Sequence, residues 1–228
     1  MPDPHDAATT LAGLLDERWT CRQFLADQVP RETIERLLAL GQRTPSWCNT
    51  QPWQVVVTSG EATDRFRKEL LEHVLSQPAA PDFEFPVAYI DAYRERRRAC
   101  GFQLYDSVGI VKGDTDGTLR QGLRNFEFFD APHVAIITTE ADLGVYGAID
   151  CGLYVNTFLL GAQSLGLAAA PQAALASYSP FLREYFGIPD NRRVVVGISF
   201  GYADLDHPVN GFRTSRAALA DTVTWHTS

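Results

Sequence analysis

The chain has 228 residues, 45% of them hydrophobic, enough to fill one core, and a single domain over 1–228 is the first expectation. A formal charge of −8 argues against a general nucleic-acid binder or a protein held on an anionic membrane, since either needs a basic face. Cys21, Cys48, Cys100 and Cys151 form no CxxC pair or zinc spacing, the N-terminal stretch is acidic where a leader peptide is basic, and no segment reads as a membrane span of about 20 apolar residues, so a cytoplasmic, reduced protein is expected.

Residues 7–17 pattern as an amphipathic helix with Leu11, Leu14 and Leu15 on one face, and a second helix begins at Pro30 and runs to about Gln42. The stretch RTPSWCNTQPWQVVVT is a loop leading into a strand at Val55–Val57, followed by a helix over 61–76. Pro78, Pro81 and Pro86 exclude regular structure over 77–87. A basic helix follows over about 89–105, then a turn at GDTDGT (113–118), a helix over 119–129 and a buried strand over 133–139. The run from about Tyr146 to Leu165 is apolar on nearly every face, which predicts a central, buried helix. A short helix over 179–186 and a buried strand over 193–200 complete the regular elements. Helices outnumber strands without βαβ alternation, so the class is α+β, a central sheet wrapped by helices. The tail from 204 to 228 has little to bury of its own and is expected to cross onto a partner subunit, or else to pack back on its own domain.

Gly197-Ile198-Ser199-Phe200-Gly201 matches a nucleophile elbow, but a loop follows where the elbow needs a helix, so serine hydrolysis is set aside. GxGxxG and P-loop patterns are absent, and the five histidines are scattered, which leaves metal catalysis without support. Two basic clusters are more telling. Arg18-Trp19-Thr20-Cys21-Arg22 and Arg213-Thr214-Ser215-Arg216 each combine guanidinium forks with hydroxyls, the chemistry a phosphate monoester needs. Taken alone, either also reads as solvated surface charge. Between them, Ser46, Asn49 and Gln51 with Trp47 and Trp53 offer polar edges and flat apolar faces suited to a planar heteroaromatic ligand.

In order, ERWTCRQF, RTPSWCNTQPWQVVV, NTFLLGAQSLGLAAAPQAA and the closing VVVGISFGYADLDHPVNGFRTSRAALADTVTW resemble the nitroreductase family of flavoproteins over nearly the whole chain. The resemblance implies an α/β sandwich with a mainly antiparallel central sheet, built as an intertwined homodimer with FMN at the subunit interface. It further implies that Arg18, Trp19, Thr20 and Arg22 hold the FMN phosphate, ribityl chain and pyrimidine edge. Arg216, with Arg213, closes on the phosphate. Pro45, Ser46, Trp47 and Asn49 reach the flavin of the other subunit, and Pro171, Gln172 and Ala173 run along the isoalloxazine. Trp19 and Thr20 stand where Arg or His and Ser are usual in the family, and Trp47 stands where a small residue is common.

The implied activity is ping-pong reduction of a small aromatic substrate, a nitroarene or quinone, with NAD(P)H as hydride donor and no side-chain acid or base named as catalytic. The excursion over 77–118 resembles a lid, and Arg97, Arg98 and Tyr105 are its expected substrate contacts. Reductive dehalogenation of halophenols, oxygen-dependent flavin cleavage and non-enzymatic FMN binding are the alternatives on the same scaffold.

Overall fold

A computed structural model describes residues 4–227. Four strands form one antiparallel sheet in the order β1-β2-β4-β3: β1 Gln54–Ser59, β2 His133–Glu140, β3 Ala168–Gln172 and β4 Arg192–Gly201. Eight helices surround it: α1 Pro4–Glu17, α2 Arg31–Gly41, α3 Glu61–Ser76, α4 Asp91–Ser107, α5 Thr115–Leu123, α6 Gly144–Ser164, α7 Ala173–Ala176 and α8 Ser179–Phe186. The expected α+β class is the observed one.

The central strand β2 shows why the sheet needs cover on both sides. Its side chains alternate, Val134 and Ile136 entering the cluster of Phe66, Leu70, Phe128, Leu175 and Leu182, while Ala135 and Ile137 enter that of Leu37, Trp53, Tyr154 and Phe158. The first cluster is roofed by α3, α7 and α8, the second by α2 and α6. Gly41 lets α2 seat against α6, because a Cβ there would stand 2.8 Å from Cζ of Tyr154.

Some elements depart from the sequence reading. Strand β3 was not expected, since Ala-Ala-Ala-Pro-Gln carries little strand propensity; as an edge strand it accommodates Pro171, whose missing N–H interrupts no central ladder. The expected turn at 113–118 is the start of α5, where Asp114 accepts a capping hydrogen bond from Gly117 N at 2.8 Å. That helix stops at Leu123 rather than 129. Phe128, Phe129 and Asp130 then take left-handed φ of 59°, 53° and 63°, which folds both phenylalanines inward. Arg67 holds this turn from above, donating to Glu127 O and Ala131 O, and Arg124 from within, through Glu127 and Asp130.

Helix α6 is only half buried. Cys151, Tyr154 and Phe158 face the sheet, whereas Val145, Tyr146, Ile149 and Leu153 are exposed. By length and composition alone, 141–164 is apolar enough to cross a membrane, contrary to the sequence expectation, but its buried face packs on the sheet. Of the tail, Thr214, Ser215, Arg216, Ala217 and Thr222 line a groove shared with α4 of the same chain.

Candidate active site

Beyond α1 the chain runs extended beside the edge strand. Thr20 bridges Ala169 in parallel sense, Cys21 N donates to Ala169 O at 3.2 Å, and Phe24 N donates to Phe129 O at 3.1 Å. Cys21 and Phe24 turn into the core, which leaves Arg18, Thr20 and Arg22 half-buried on the other side. The opposite end of the chain is brought to the same place by one buried side chain. Asn210 Oδ1 accepts from Arg22 N at 2.8 Å, while Asn210 Nδ2 donates to Gln23 O at 2.8 Å and Asp204 O at 2.7 Å. With the two ends stapled, the Arg213 guanidinium lies 4.2 Å from the Trp19 ring and that of Arg22 lies 5.4 Å from Phe212.

The result is a cavity of about 230 Å³ lined by Arg18, Trp19, Thr20, Arg22, Arg213 and Arg216, with Cys100 of α4 on one wall. Among the described residues, none of its four guanidiniums has a carboxylate within ion-pair distance. Their polar contacts are neutral instead: Arg22 donates to Thr20 O, Arg213 to Asn210 O and Phe212 O, and Arg216 to Thr214 and Ser215 O. Burial lowers the basicity of Arg18, and the nearby charge of Arg216 lowers it further. Arg22 is lowered by burial as well, with the Cys100 and Cys21 thiols opposing. The indole Nε1 of Trp19 is buried without a hydrogen-bond partner. Four guanidiniums against one lining carboxylate, Asp16, which pairs with none of them, and a spare donor suit an anionic ligand rich in oxygen acceptors.

The loop carrying Pro45, Ser46, Trp47 and Asn49 is elsewhere. Trp47 N donates to both carboxylate oxygens of buried Asp150 on α6, at 3.2 and 3.1 Å, and the Trp47 ring lies 5.2 Å from Tyr146. Ser46 Oγ accepts from Gln51 N at 2.9 Å, across a turn in which Cys48, Asn49 and Gln51 hold φ of 48°, 57° and 47°. The arginine cavity takes in Leu15 and Asp16 at the end of α1, next to Glu17, which accepts from Gln163 Nε2 at the other end of α6. From Asp150 to Gln163 the helix rises about 20 Å. Within one chain, therefore, loop and cavity do not meet.

Pro171 follows the Thr20–Ala169 bridge by two residues, so it stands near the cavity, and Ala173 is exposed beyond it. The Gln172 side chain turns inward, donating to Asn125 O at 2.8 Å and accepting from Ser199 Oγ. Ser199 is fully buried in mid-strand, as its dismissal as a nucleophile anticipated. The three expected substrate contacts do not converge. Arg97 borders a groove beside the tail and stacks on Tyr89 at 5.0 Å, Arg98 lies over Phe102 at 5.7 Å, and Tyr105 lines a separate hollow with Lys112. Sequence reasoning passed over Asn210 and Asp150. Neither carries a signal, for Asn210 before Gly211 looks like any turn, and Asp150 is a lone acid in an apolar run.

The nitroreductase family pattern matches residues 15–202. Nitroreductase NfnB of Mycolicibacterium smegmatis is 36% identical over 95% of this chain and 93% of its own length. A 4-nitrobenzoate reductase of Nocardioides sp. is 34% identical over 91% of this chain and 86% of its own. The crystal structure of FMN-dependent NfnB from Mycobacterium smegmatis in complex with NADPH superposes with a TM-score of 0.93 at 35% identity, covering 97% of this chain and 100% of that one. The edge-strand segment, the arginine cavity and the four-stranded sheet are thus those of a chain that belongs to the nitroreductase family of oxidoreductases.

Proposed function

We propose that this chain is a homodimeric FMN enzyme that reduces nitroaromatic and quinone-like substrates with NAD(P)H. The observation that carries the reading is the cavity of four guanidiniums without a carboxylate partner. An FMN phosphate fits it: Arg18, Arg213 and Arg216 supply charge-assisted donors, Thr20 supplies a hydroxyl, and the unpartnered Trp19 Nε1 finds an acceptor. The relatives above, an FMN-dependent nitroreductase crystallised with NADPH and a 4-nitrobenzoate reductase, support the same cofactor pair and substrate class.

When bound, FMN would supply two-electron redox chemistry between a nicotinamide and an oxidised aromatic. The overall balance for a nitroarene is ArNO₂ + NAD(P)H + H⁺ giving ArNO + NAD(P)⁺ + H₂O. The protein's part is to bind, orient and tune. Arg22, half-buried and unable to discharge, keeps a fixed positive charge beside the site, which favours an anionic ligand state. Asp150 fixes the first N–H of the Trp47 turn and so presents Ser46 and Asn49 in one conformation.

Dimerisation is supported by two features of the single chain. Loop and cavity lie at opposite ends of α6, so a second copy is needed for both to touch one flavin. The exposed face of Val145, Tyr146, Ile149 and Leu153, continued by Trp47, is an apolar surface of the kind obligate partners cover. Free cysteines at all four positions suit the reducing, cytoplasmic setting we assign. The reading is tested by anaerobic assay of FMN-loaded protein. NAD(P)H oxidation coupled to 4-nitrobenzoate or a quinone, with sedimentation as a dimer, is the expected outcome. Turnover of a halophenol but of no nitroarene would replace it with dehalogenation, and FMN binding without any turnover would replace it with a carrier or sensor.

A further inference from the structure

The turn over 124–131 carries strain that the site described above leaves unexplained. Phe128, Phe129 and Asp130 are consecutive non-glycine residues in the left-handed region, with φ of 59°, 53° and 63°. Such a run persists only where its surroundings over-determine it, and stored strain of this kind gathers at functional sites. Two segments assigned to the flavin are fastened to this turn. On one side Phe24 N, just beyond Arg22, donates to Phe129 O at 3.1 Å. On the other, Gln172 Nε2 donates to Asn125 O at 2.8 Å, which fixes the end of the edge strand β3.

A third fastening runs through side chains alone. Within the turn, Arg124 Nη1 donates to Glu127 Oε2 at 2.7 Å and Nη2 to Asp130 Oδ2 at 2.8 Å. Nη2 also donates across the chain to Gln23 Oε1 at 2.9 Å, and Gln23 Nε2 donates in turn to Asp130 Oδ2 at 2.9 Å. The Gln23 amide is thus held at both ends by one ion pair and cannot turn over without losing both bonds. Burial opposes the Asp130 carboxylate, but the bonds from Arg124 and Gln23 outweigh it and hold the pKa below the ordinary 3.8, so the network is ionised at neutral pH.

We infer that Arg124, acting through Gln23, is a positioning residue that sets where the Arg22 guanidinium stands beside the flavin. The inference rests on the assignment of FMN to the arginine cavity and deepens it. Among the described residues, the Arg22 guanidinium bonds within its own segment, to Thr20 O at 3.2 Å, and lies over Phe212, so its place follows the backbone that carries it. Asn210 holds that backbone at the Arg22 N–H, and the Arg124 network holds it one residue further on. A network that served the turn alone would stop at Glu127 and Asp130. The bond to Gln23, 101 positions away, extends it to the site.

Arg124→Ala would also strip the turn of its own ion pairs, so the test uses Gln23→Leu, which cuts the bridge and leaves Glu127 and Asp130 on Arg124. By fluorescence titration Gln23→Leu is expected to weaken FMN binding about fivefold, but less than about 1.5-fold in an Arg22→Ala background, the non-additivity of a residue that works through its neighbour. Its Tm is expected to stay within about 3 °C of wild type. An equal loss in both backgrounds, no loss in either, or a fall in Tm of more than about 3 °C with FMN affinity unchanged would overturn the inference. If wild type takes up no FMN, the cofactor assignment fails on its own account, and hydrogen exchange read by NMR on the FMN-free protein decides the positioning claim. The Arg22 amide should then exchange at least about fivefold faster in Gln23→Leu with β2 unchanged, and equal rates in the two proteins would overturn the claim.

Discussion

Two arginine-rich regions of this molecule look alike as strings of letters and differ as physical objects. Arg94, Arg96, Arg97 and Arg98 are near neighbours on one exposed helix. Arg18, Arg22, Arg213 and Arg216 come from opposite ends of the chain and are gathered against an edge strand by one buried asparagine. On α4, water solvates each guanidinium and little has to be balanced. In the cavity, burial acts on Arg18 and Arg22, yet a guanidinium cannot escape by losing its proton, which is why we assign the site to an anionic ligand. Assembly and desolvation, not local density of charge, separate a built site from a basic face.

The largest effect that sharpens this contrast is expected at Arg22. Arg22→Ala should weaken FMN binding about 10- to 100-fold, the loss of one or more charge-assisted hydrogen bonds at roughly 1.5–3 kcal/mol. Arg22→Lys should recover part of it, which separates charge from fold, and fluorescence titration with FMN reads both. Arg216→Ala should weaken FMN by less, about tenfold, because this rim residue is exposed and its removal also relieves Arg18 of a like charge. A loss as large as that at Arg22 would show that burial is not what matters.

A buried base that can discharge makes the complementary case. His133 is buried on β2, where Nε2 accepts from Val29 N at 2.9 Å and Nδ1 faces Thr58 O at 3.3 Å, the pattern of a neutral ring. Burial pushes its pKa below the ordinary 6.5, with the Thr58 carbonyl opposing. The unfolded chain therefore takes up the proton more readily, and stability present above pH 6.5 is lost as pH falls toward the folded value. Between pH 7.5 and 5.5, scanning calorimetry should show wild type losing roughly 2–4 °C more in Tm than His133→Gln. The smallest effect belongs to the exposed helix: Arg98→Ala should change FMN affinity by less than about twofold.

Much of the fold was legible because its punctuation is local. The spans of α3 and α8 were read to the residue, bounded by Gly60 and Gly187, whose φ of 55° and 63° no other residue adopts cheaply. Strand β3 was not legible, since it owes its existence to pairing with β4 and not to its own alanines. The arginine cluster was readable as phosphate chemistry and, by family resemblance, as one site. What joins its halves was not, because the Asn210 staple spans 188 positions and leaves no periodic trace. The apolar character of α6 was plain, but composition alone does not tell a face packed on the sheet from one awaiting a second copy.

Titration of FMN-free protein with FMN, read together with the sedimenting mass, tests the account most directly. The expected result is saturable uptake of one FMN per chain in a dimer, weakened as salt screens the guanidiniums. Protein that stays colourless at saturating FMN, or that binds it as a stable monomer with full affinity, would contradict the account.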